Sequence, residues 1–261
     1  MSSASDLIQV RLENRIKTIT FNQPRKKNAI SAAMSRHFLD AILSSRDDES
    51  RVVVLTGAEA DFCAGADLDP SLMQGGFDVT EFLRTTYNPA VLAMREMNKP
   101  FIAKVRGSCV GVGFNFALAC DIVYASDTAS FSQIFTRIGL SSDGGGAYFM
   151  PERIGYHRAF ELMATGTMIP AAEAAQLGII NRMLPDAELD AAVDALAERL
   201  ANGPFLAIQH TKANLRTGAA GTLAEALDAE AVHQGVNFRS RDFFEGVAAF
   251  LQKRKPQYKG E

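Results

Sequence analysis

An α/β fold with a helical C-terminal region is predicted by three features of this 261-residue chain. Short continuous apolar runs of the buried parallel-strand type, RVVVLTG (51–57) and Phe101–Val105, alternate with helix-like segments. A glycine-rich turn, GSCVGVG (107–113), joins the second of these runs to an apolar helix-like stretch. From about Asp186 onward the pattern is helical only, so an α/β core over 1–185 is followed by helices over 186–261.

The elements follow in order. LIQVRLE and IKTITFN alternate apolar and polar residues around Asn14–Arg15, which reads as a hairpin. NQPRKK (22–27) is a loop, after which Ser31 caps a helix with apolar positions at Met34, Phe38, Ala41 and Ile42. A second helical segment lies near Val91–Met97, before the strand Phe101–Val105. Strands at DIVYAS (121–126) and ASFSQ (129–133), helices around 156–164 and 171–177, and a last strand at IINRML (179–184) complete the core. The tail divides into helices at 187–201, 205–217, 222–236 and 240–252, punctuated by Gly203–Pro204 and Gly218–Gly221. Its apolar stripes have little core of their own, which predicts packing on a neighbouring subunit.

Composition narrows the class. Hydrophobic residues make up 47% and charged residues 22%, an ordinary globular balance, and the net charge of −3 gives no reason to expect a nucleic-acid partner. No apolar run approaches the ~20 residues that span a bilayer. The N-terminus MSSASDLIQV lacks an export pattern, so a cytoplasmic location is expected. Cys63, Cys109 and Cys120 have no CxxC spacing and read as reduced, packed thiols. The four histidines are scattered, so no metal site is expected. GVGFNF lacks the third glycine of a dinucleotide-binding loop.

Two loops can present free backbone N–H groups. DFCAGADL (61–68) follows the strand RVVVLTG, and the Gly107–Gly113 turn follows the next buried strand. Neighbouring parallel strands open on one edge of a sheet, where ligands usually bind. Two N–H groups from separate turns there form an oxyanion hole.

With these two loops the chain resembles the crotonase (enoyl-CoA hydratase/isomerase) superfamily over nearly its whole length. The resemblance rests on NAI (28–30), FCAGADL (62–68), KPFIAKVRGSCVGVGFNFALACDIVYAS (99–126), ASFSQIFTRIGL (129–140), DGGGAYFMPERIG (143–155), AAEAAQLGIINRML (171–184) and EGVAAFLQKRKPQYKG (245–260). It implies a spiral of ββα units, a homotrimer or hexamer assembled through 186–261, and an acyl-CoA thioester as substrate. Coenzyme A is then part of the substrate and no separate cofactor is called for. The resemblance assigns the N–H groups of Ala66 and Val112 to the thioester oxygen as it becomes an enolate. It places Lys26, Ala29, Ala64, Asp67 and Leu68 beside coenzyme A, with Lys253 reaching its phosphates; the KRK at 253–255 also reads as a solvated helix end.

Hydration in this family needs two carboxylates, one to activate water and one to protonate the α-carbon. Their usual places read Asn115 and Phe135 here, and neither side chain transfers a proton near neutral pH. Asp143, in GLSSDGGGAYF, stands where isomerase branches of the 1,2-epoxyphenylacetyl-CoA isomerase type carry a single aspartate base. One such group suffices to move a double bond, and an apolar pocket would raise its pKa into a useful range. Asp143 also reads as the N-cap of a helix beginning near Gly145. Asn115 reads as an inert helix residue or as a hydrogen-bonding partner of the substrate or of Asp143. Phe131, Phe135 and Tyr148 are candidate apolar walls. Leu72, Met73, Phe77, Phe82, Leu83 and Tyr87 lie in the segment that shapes the acyl pocket in the family, and also read as core. Asp121 reads as structural.

The expected activity is enoyl-CoA double-bond isomerisation through a thioester enolate. Hydration, or a lyase or hydrolase step using Asp143, is the alternative within the family. Acyl-CoA binding without catalysis is the alternative outside enzymology.

Overall fold

Ile8–Glu13 (β1) and Ile16–Phe21 (β2) pair antiparallel across Asn14 and Arg15. Both turn residues have positive φ, 51° and 62°, as a two-residue hairpin that follows the strand twist requires. The computed structural model describes residues 7–68 and 75–261. Val52–Gly57 (β3), Phe101–Val105 (β4), Ile122–Ser126 (β6) and Arg182–Leu184 (β9) extend the sheet in parallel, in the order β1-β2-β3-β4-β6-β9.

The first helix is Ala32–Ser44 (α1), and its N-cap is Ser31, whose side chain accepts from the Met34 N–H. Val79–Thr85 (α2) and Tyr87–Glu96 (α3) precede β4. The glycine turn contains a strand that sequence patterning does not resolve, Ser108–Val110 (β5), followed by Val112–Ala119 (α4). β5 pairs with Ser130–Ser132 (β7), and β7 with Ile169–Pro170 (β8), in a second, three-stranded sheet. The chain therefore leaves one sheet for the other at Arg106–Gly107, which makes the glycine turn the hinge of a two-sheet spiral. Gly146–Ile154 (α5), Tyr156–Thr165 (α6) and Ala171–Gln176 (α7) complete the core.

One apolar cluster lies between the sheets and α1, α3 and α4. Phe21, Phe38 and Phe116 are each fully buried at its centre, with ring centroids 5.1 Å (Phe21–Phe38) and 4.7 Å (Phe38–Phe116) apart. Every residue of α4 is buried, so it is apolar on all sides, as a helix enclosed by protein must be.

Asp186–Ala201 (α8), the first of the four C-terminal helices, covers the outer face of the large sheet. Leu189, Val193, Ala197 and Ala201 pack there on Val52, Val54 and Ile102. Arg106 binds Asp186 and Asp190 at 2.9 and 3.0 Å and pins the start of α8 to the end of β4. α8 thus packs on the outer face of the large sheet, in an apolar cluster separate from the one between the sheets. Phe205–Ala220 (α9) is tied back by Lys212, whose ammonium donates to the carbonyls of Met94 and Lys99 and to Asp121. Asp121 also accepts from the Phe101 N–H at 2.8 Å, the structural role expected of it. Leu223–Asn237 (α10) and Arg241–Leu251 (α11) follow, and both leave large apolar side chains in solvent.

Candidate active site

The ends of β3 and β4 bring the two N–H-bearing loops together. Beyond β3, Phe62 N–H donates to the Arg106 carbonyl and Cys63 N–H to the Ser108 carbonyl, both at 2.8 Å. Val110 N–H returns to the Cys63 carbonyl at 2.9 Å. At this seam Gly65 (φ +94°) and Gly111 (φ +57°) adjoin, and a Cβ on Gly65 would lie 3.2 Å from the Val110 carbonyl oxygen. Glycine adopts these positive-φ conformations without strain.

Ala66 is held from both sides. Ile30 N–H donates to the Gly65 carbonyl and Asp67 N–H donates to the Ile30 carbonyl, at 2.8 and 2.9 Å. In a parallel bridge of this kind the intervening N–H points away from the partner strand. The Ala66 N–H accordingly has no hydrogen-bond partner among the described residues. Val112 opens α4, where first-turn N–H groups have no intrahelical acceptor, and its N–H is likewise unpartnered among the described residues. Two free donors thus stand on adjoining turns, one at the positive end of a buried helix.

On the side of the first loop, Lys26 Nζ and Asp67 form an ion pair at 2.6 Å, and Gln23 donates to the same carboxylate oxygen at 3.2 Å. Ala64 N–H binds the Lys27 carbonyl, Ala29 is 9% exposed behind Lys26, and Leu68 is 58% exposed at the loop's end. Lys26, Ala29, Ala64, Asp67 and Leu68 therefore form one ledge beside Ala66. Asn28 organises it from beneath. It is fully buried, donates to the carbonyls of Ala58 and Asp61, and accepts from the Gln23 N–H. Its role was visible in sequence only as part of the NAI motif. Lys253 does not join this ledge through any contact among the described residues. Its tail is fastened near the start of β3, where Arg51 donates to the Lys259 and Ala201 carbonyls.

Asp143 lies in the loop before α5, within the structure's second constellation. Its side chain does not cap α5: the N-cap is Gly145, and no side chain bonds there. Instead, the Asp143 Oδ1 is buried with no hydrogen-bond partner among the described residues. Burial pushes its carboxyl pKa up to about 6, because an ionised carboxylate is poorly solvated there.

The loop itself is anchored from below. Asn115 is fully buried and donates through Nδ2 to the Asp143 carbonyl at 2.7 Å and to Ser142 Oγ at 3.4 Å. Its Oδ1 accepts from Gln133 Nε2 at 2.6 Å, and Ser142 donates to Gln133 Oε1 at 3.3 Å. Of the readings open for Asn115, among them a place in the acyl pocket, the structure shows a hydrogen-bonding partner of Asp143, with its side-chain donors and acceptor spent on the frame behind that residue. Gln133 and Ser142 carry no sequence signal of that role, since their partners lie in distant parts of the chain.

The expected apolar walls divide. Phe135 is 8% exposed, and its ring tip would lie 3.8 Å from a Cβ on Gly111, so it closes the oxyanion turn from the side of the second sheet. Phe131 is fully buried against Phe114 at 5.1 Å and belongs to the core, not to a pocket wall. Tyr148 is 57% exposed on α5, edge-on to Phe149, and does not enclose Asp143 within this chain. Leu72 and Met73 lie outside the described residues. Phe77 is 45% exposed and begins an aromatic row, Phe77–Phe82–Tyr87–Phe116, with centroid spacings of 5.2, 5.2 and 5.5 Å.

The Enoyl-CoA hydratase/isomerase family description matches residues 11–261. A Rhodobacter capsulatus protein named as a probable enoyl-CoA hydratase is 38% identical over 97% of this chain and 98% of its own length. The 1,2-epoxyphenylacetyl-CoA isomerase of Escherichia coli is 34% identical over 98% of this chain and 99% of its own. A solved Mycobacterium abscessus structure, described as a candidate enoyl-CoA hydratase/isomerase, superposes with a TM-score of 0.93. It is 31% identical and covers 97% of this chain and 100% of its own.

Proposed function

The chain belongs to the enoyl-CoA hydratase/isomerase (crotonase) family, and on that premise we propose that it moves a carbon–carbon double bond within an enoyl-CoA thioester. Family membership makes it an acyl-CoA-processing enzyme. The choice of isomerisation rests on one observation: Asp143 holds a buried, unpartnered carboxylate oxygen while Asn115, at a hydratase's usual acid position, is consumed by structural hydrogen bonds.

In this reading the thioester oxygen lies against the Ala66 and Val112 N–H groups. Ionised Asp143 removes a proton from the carbon between the carbonyl and the double bond. The electron pair moves into the thioester, and the resulting dienolate oxygen carries charge that the two N–H groups stabilise. Asp143, now a neutral acid, returns the proton to the far end of the dienolate. The double bond ends in conjugation with the thioester, and no atom is gained or lost. The coenzyme A end lies along the Lys26–Asp67 ledge. Lys253 is assigned to the phosphates from a C-terminal segment brought by assembly.

Assembly as a homotrimer, or as a dimer of trimers, is part of the proposal. It is supported by the apolar side chains that α9 to α11 leave in solvent, among them Leu215 (71% exposed) and Phe250 (82%). Among the described residues no helix is long and apolar enough to cross a membrane.

The test is turnover of 3-enoyl-, 3,5-dienoyl- and crotonyl-CoA by the wild type and by Asp143→Asn. Isomerisation predicts a product of unchanged mass apart from deuterium exchange in heavy water, and a loss of about 10²–10⁴-fold in the variant. A product one water heavier, or full activity of Asp143→Asn on every substrate, would overturn the reading.

A further inference from the structure

Two of the four histidines, far apart in sequence, meet between α9 and α10. The imidazoles of His210 on α9 and His233 on α10 stack with ring centroids 4.3 Å apart and planes inclined by only 14°. Each ring also reaches an asparagine of the opposite helix. His210 Nδ1 bonds Asn237 Oδ1 at 2.7 Å, and His233 Nδ1 bonds Asn214 Oδ1. An amide oxygen only accepts, so each Nδ1 carries the hydrogen and each Nε2 keeps the lone pair that takes a proton. The two bonds cross between the helices and make the four half-buried side chains a reciprocal clasp.

α10 has little else to hold it. None of its side chains is buried within this chain, and α9 is the element it packs against. The charged groups around the clasp are mostly committed elsewhere. On α9, Lys212 donates to Asp121 and the Met94 and Lys99 carbonyls, and Arg216 to those of Arg95 and Glu96. Both cations therefore turn toward the end of α3. Asp242 of α11 lines a groove with Asn237, but its carboxylate accepts from the Lys259 and Gly260 N–H groups. On α10, Glu225 is spent on the N-cap, and Asp228 is exposed, as is Arg239 just beyond the helix. Glu230 stands one turn before His233 and lines the groove beside Asn214. Its charge does not prevail, because the His233 pKa lies below the ordinary imidazole value, lowered first by burial and then by His210.

We propose that this pair is a proton-operated clasp: a first proton leaves α9 and α10 together, and a second drives them apart. One imidazolium stacks on a neutral imidazole without like-charge repulsion. Two imidazoliums at 4.3 Å repel, and their half-buried site limits screening by water. Protonation at Nε2 leaves the Nδ1 bonds intact, so the opening force acts between the rings themselves. A histidine whose folded pKa is depressed holds the fold best when neutral. The clasp is thus firm above about pH 6.5, the unperturbed imidazole value, and weakens as the pH falls below it. Release of α10 displaces the apolar side chains it carries in solvent, Leu223, Leu227, Val232 and Val236. Acidification therefore remodels this part of the surface, whatever role Asp143 has in the reaction.

The experiment follows both imidazoles by NMR in full-length protein from about pH 4.5 to about pH 8.5. The single variants His210→Gln and His233→Gln identify the resonances. Wild type is expected to titrate in two separate steps, and His210→Gln to raise the His233 midpoint by roughly half to one pH unit. Raising salt from about 0.05 M to about 1 M should draw the wild-type steps together, an arm that needs no variant. Hydrogen exchange reads the helix. Protection of α10 amides relative to those of α1 should fall about tenfold between about pH 7.5 and about pH 5 in wild type. In the double variant His210→Gln/His233→Gln it should stay constant. An unchanged His233 midpoint in His210→Gln, or one pH profile of α10 protection shared by wild type and the double variant, would overturn the proposal. Wild-type steps that coincide or ignore salt would do the same. None of these readouts depends on turnover.

Discussion

Asn115 Nδ2 donates to the Asp143 carbonyl at 2.7 Å, joining residues 28 positions apart through a side chain that has no exposed surface. The position that would carry a proton-transferring acid in a hydratase serves instead as a bracket for the loop that bears Asp143. In the proposed reaction the chemistry falls to Asp143, and Asn115 keeps the frame around it.

Asn115→Ala tests the bracket. It removes the shortest of three donors to the Asp143 carbonyl, which keeps Ser142 Oγ and the Gly146 N–H at 3.3 Å, and it leaves Gln133 Nε2 without its acceptor, so one unmet buried group should lower stability by about 1–3 kcal/mol. Turnover should fall more than acyl-CoA affinity does, because the acid/base loosens while the ledge at Lys26 and Asp67 is untouched. Thermal denaturation and a comparison of kcat with KM read the two effects separately.

The pH dependence follows from burial. In the proposed isomerisation Asp143 acts in its ionised form, and its pKa is pushed up to about 6. The acid limb of kcat/KM should therefore bend near pH 6, well above an ordinary aspartate, and Asp143→Asn should abolish that limb.

The same shift has a stability side. A carboxyl whose folded pKa exceeds its unfolded one favours the native state when protonated and opposes it when ionised. Asp143→Asn should thus be neutral below about pH 4 and stabilising above about pH 6, by at most about 3 kcal/mol for two pKa units. Melting curves at pH 4 and pH 8 measure the difference; equal effects at the two values would contradict the buried-carboxylate account.

Gly65→Ala addresses the oxyanion turn. With φ at +94° and a new Cβ 3.2 Å from the Val110 carbonyl oxygen, the substitution strains the backbone and shifts the neighbouring Ala66 N–H. Loss of one such donor costs about 10²–10³ in kcat. The strain itself costs on the order of 1–3 kcal/mol of stability. Steady-state kinetics beside a denaturation curve would show catalysis damaged beyond folding.

Much of this was legible in the chain because the relevant forces are local. Alternation around Asn14–Arg15 marked the hairpin, Ser31 marked the start of α1, and the apolar runs marked β3 and β4. Ser108–Val110 escaped because it forms a strand only by pairing with Ser130–Ser132, a partner that no short window contains. The two reading frames for Asp143 could not be separated from its neighbours alone. An N-cap and an acid share the same residue type and the same flanking glycines, and only the unfilled Oδ1 distinguishes them. Asn115 and Gln133 were opaque for the converse reason: a buried amide acquires its meaning from partners that folding supplies. Lys253 stays apart from the ledge because the last residues fold back on Arg51 within their own chain.

Assigning both proton transfers to the one carboxylate of Asp143, as proposed, carries a stereochemical consequence. A base that both takes and returns the proton can reach only one face of the planar dienolate, so transfer must be suprafacial. Asn115, locked into the frame by its hydrogen bonds, delivers no proton of its own. A substrate deuterated on the abstracted position should then keep part of its label at the new carbon, in proportion to how well the closed pocket outpaces exchange with water.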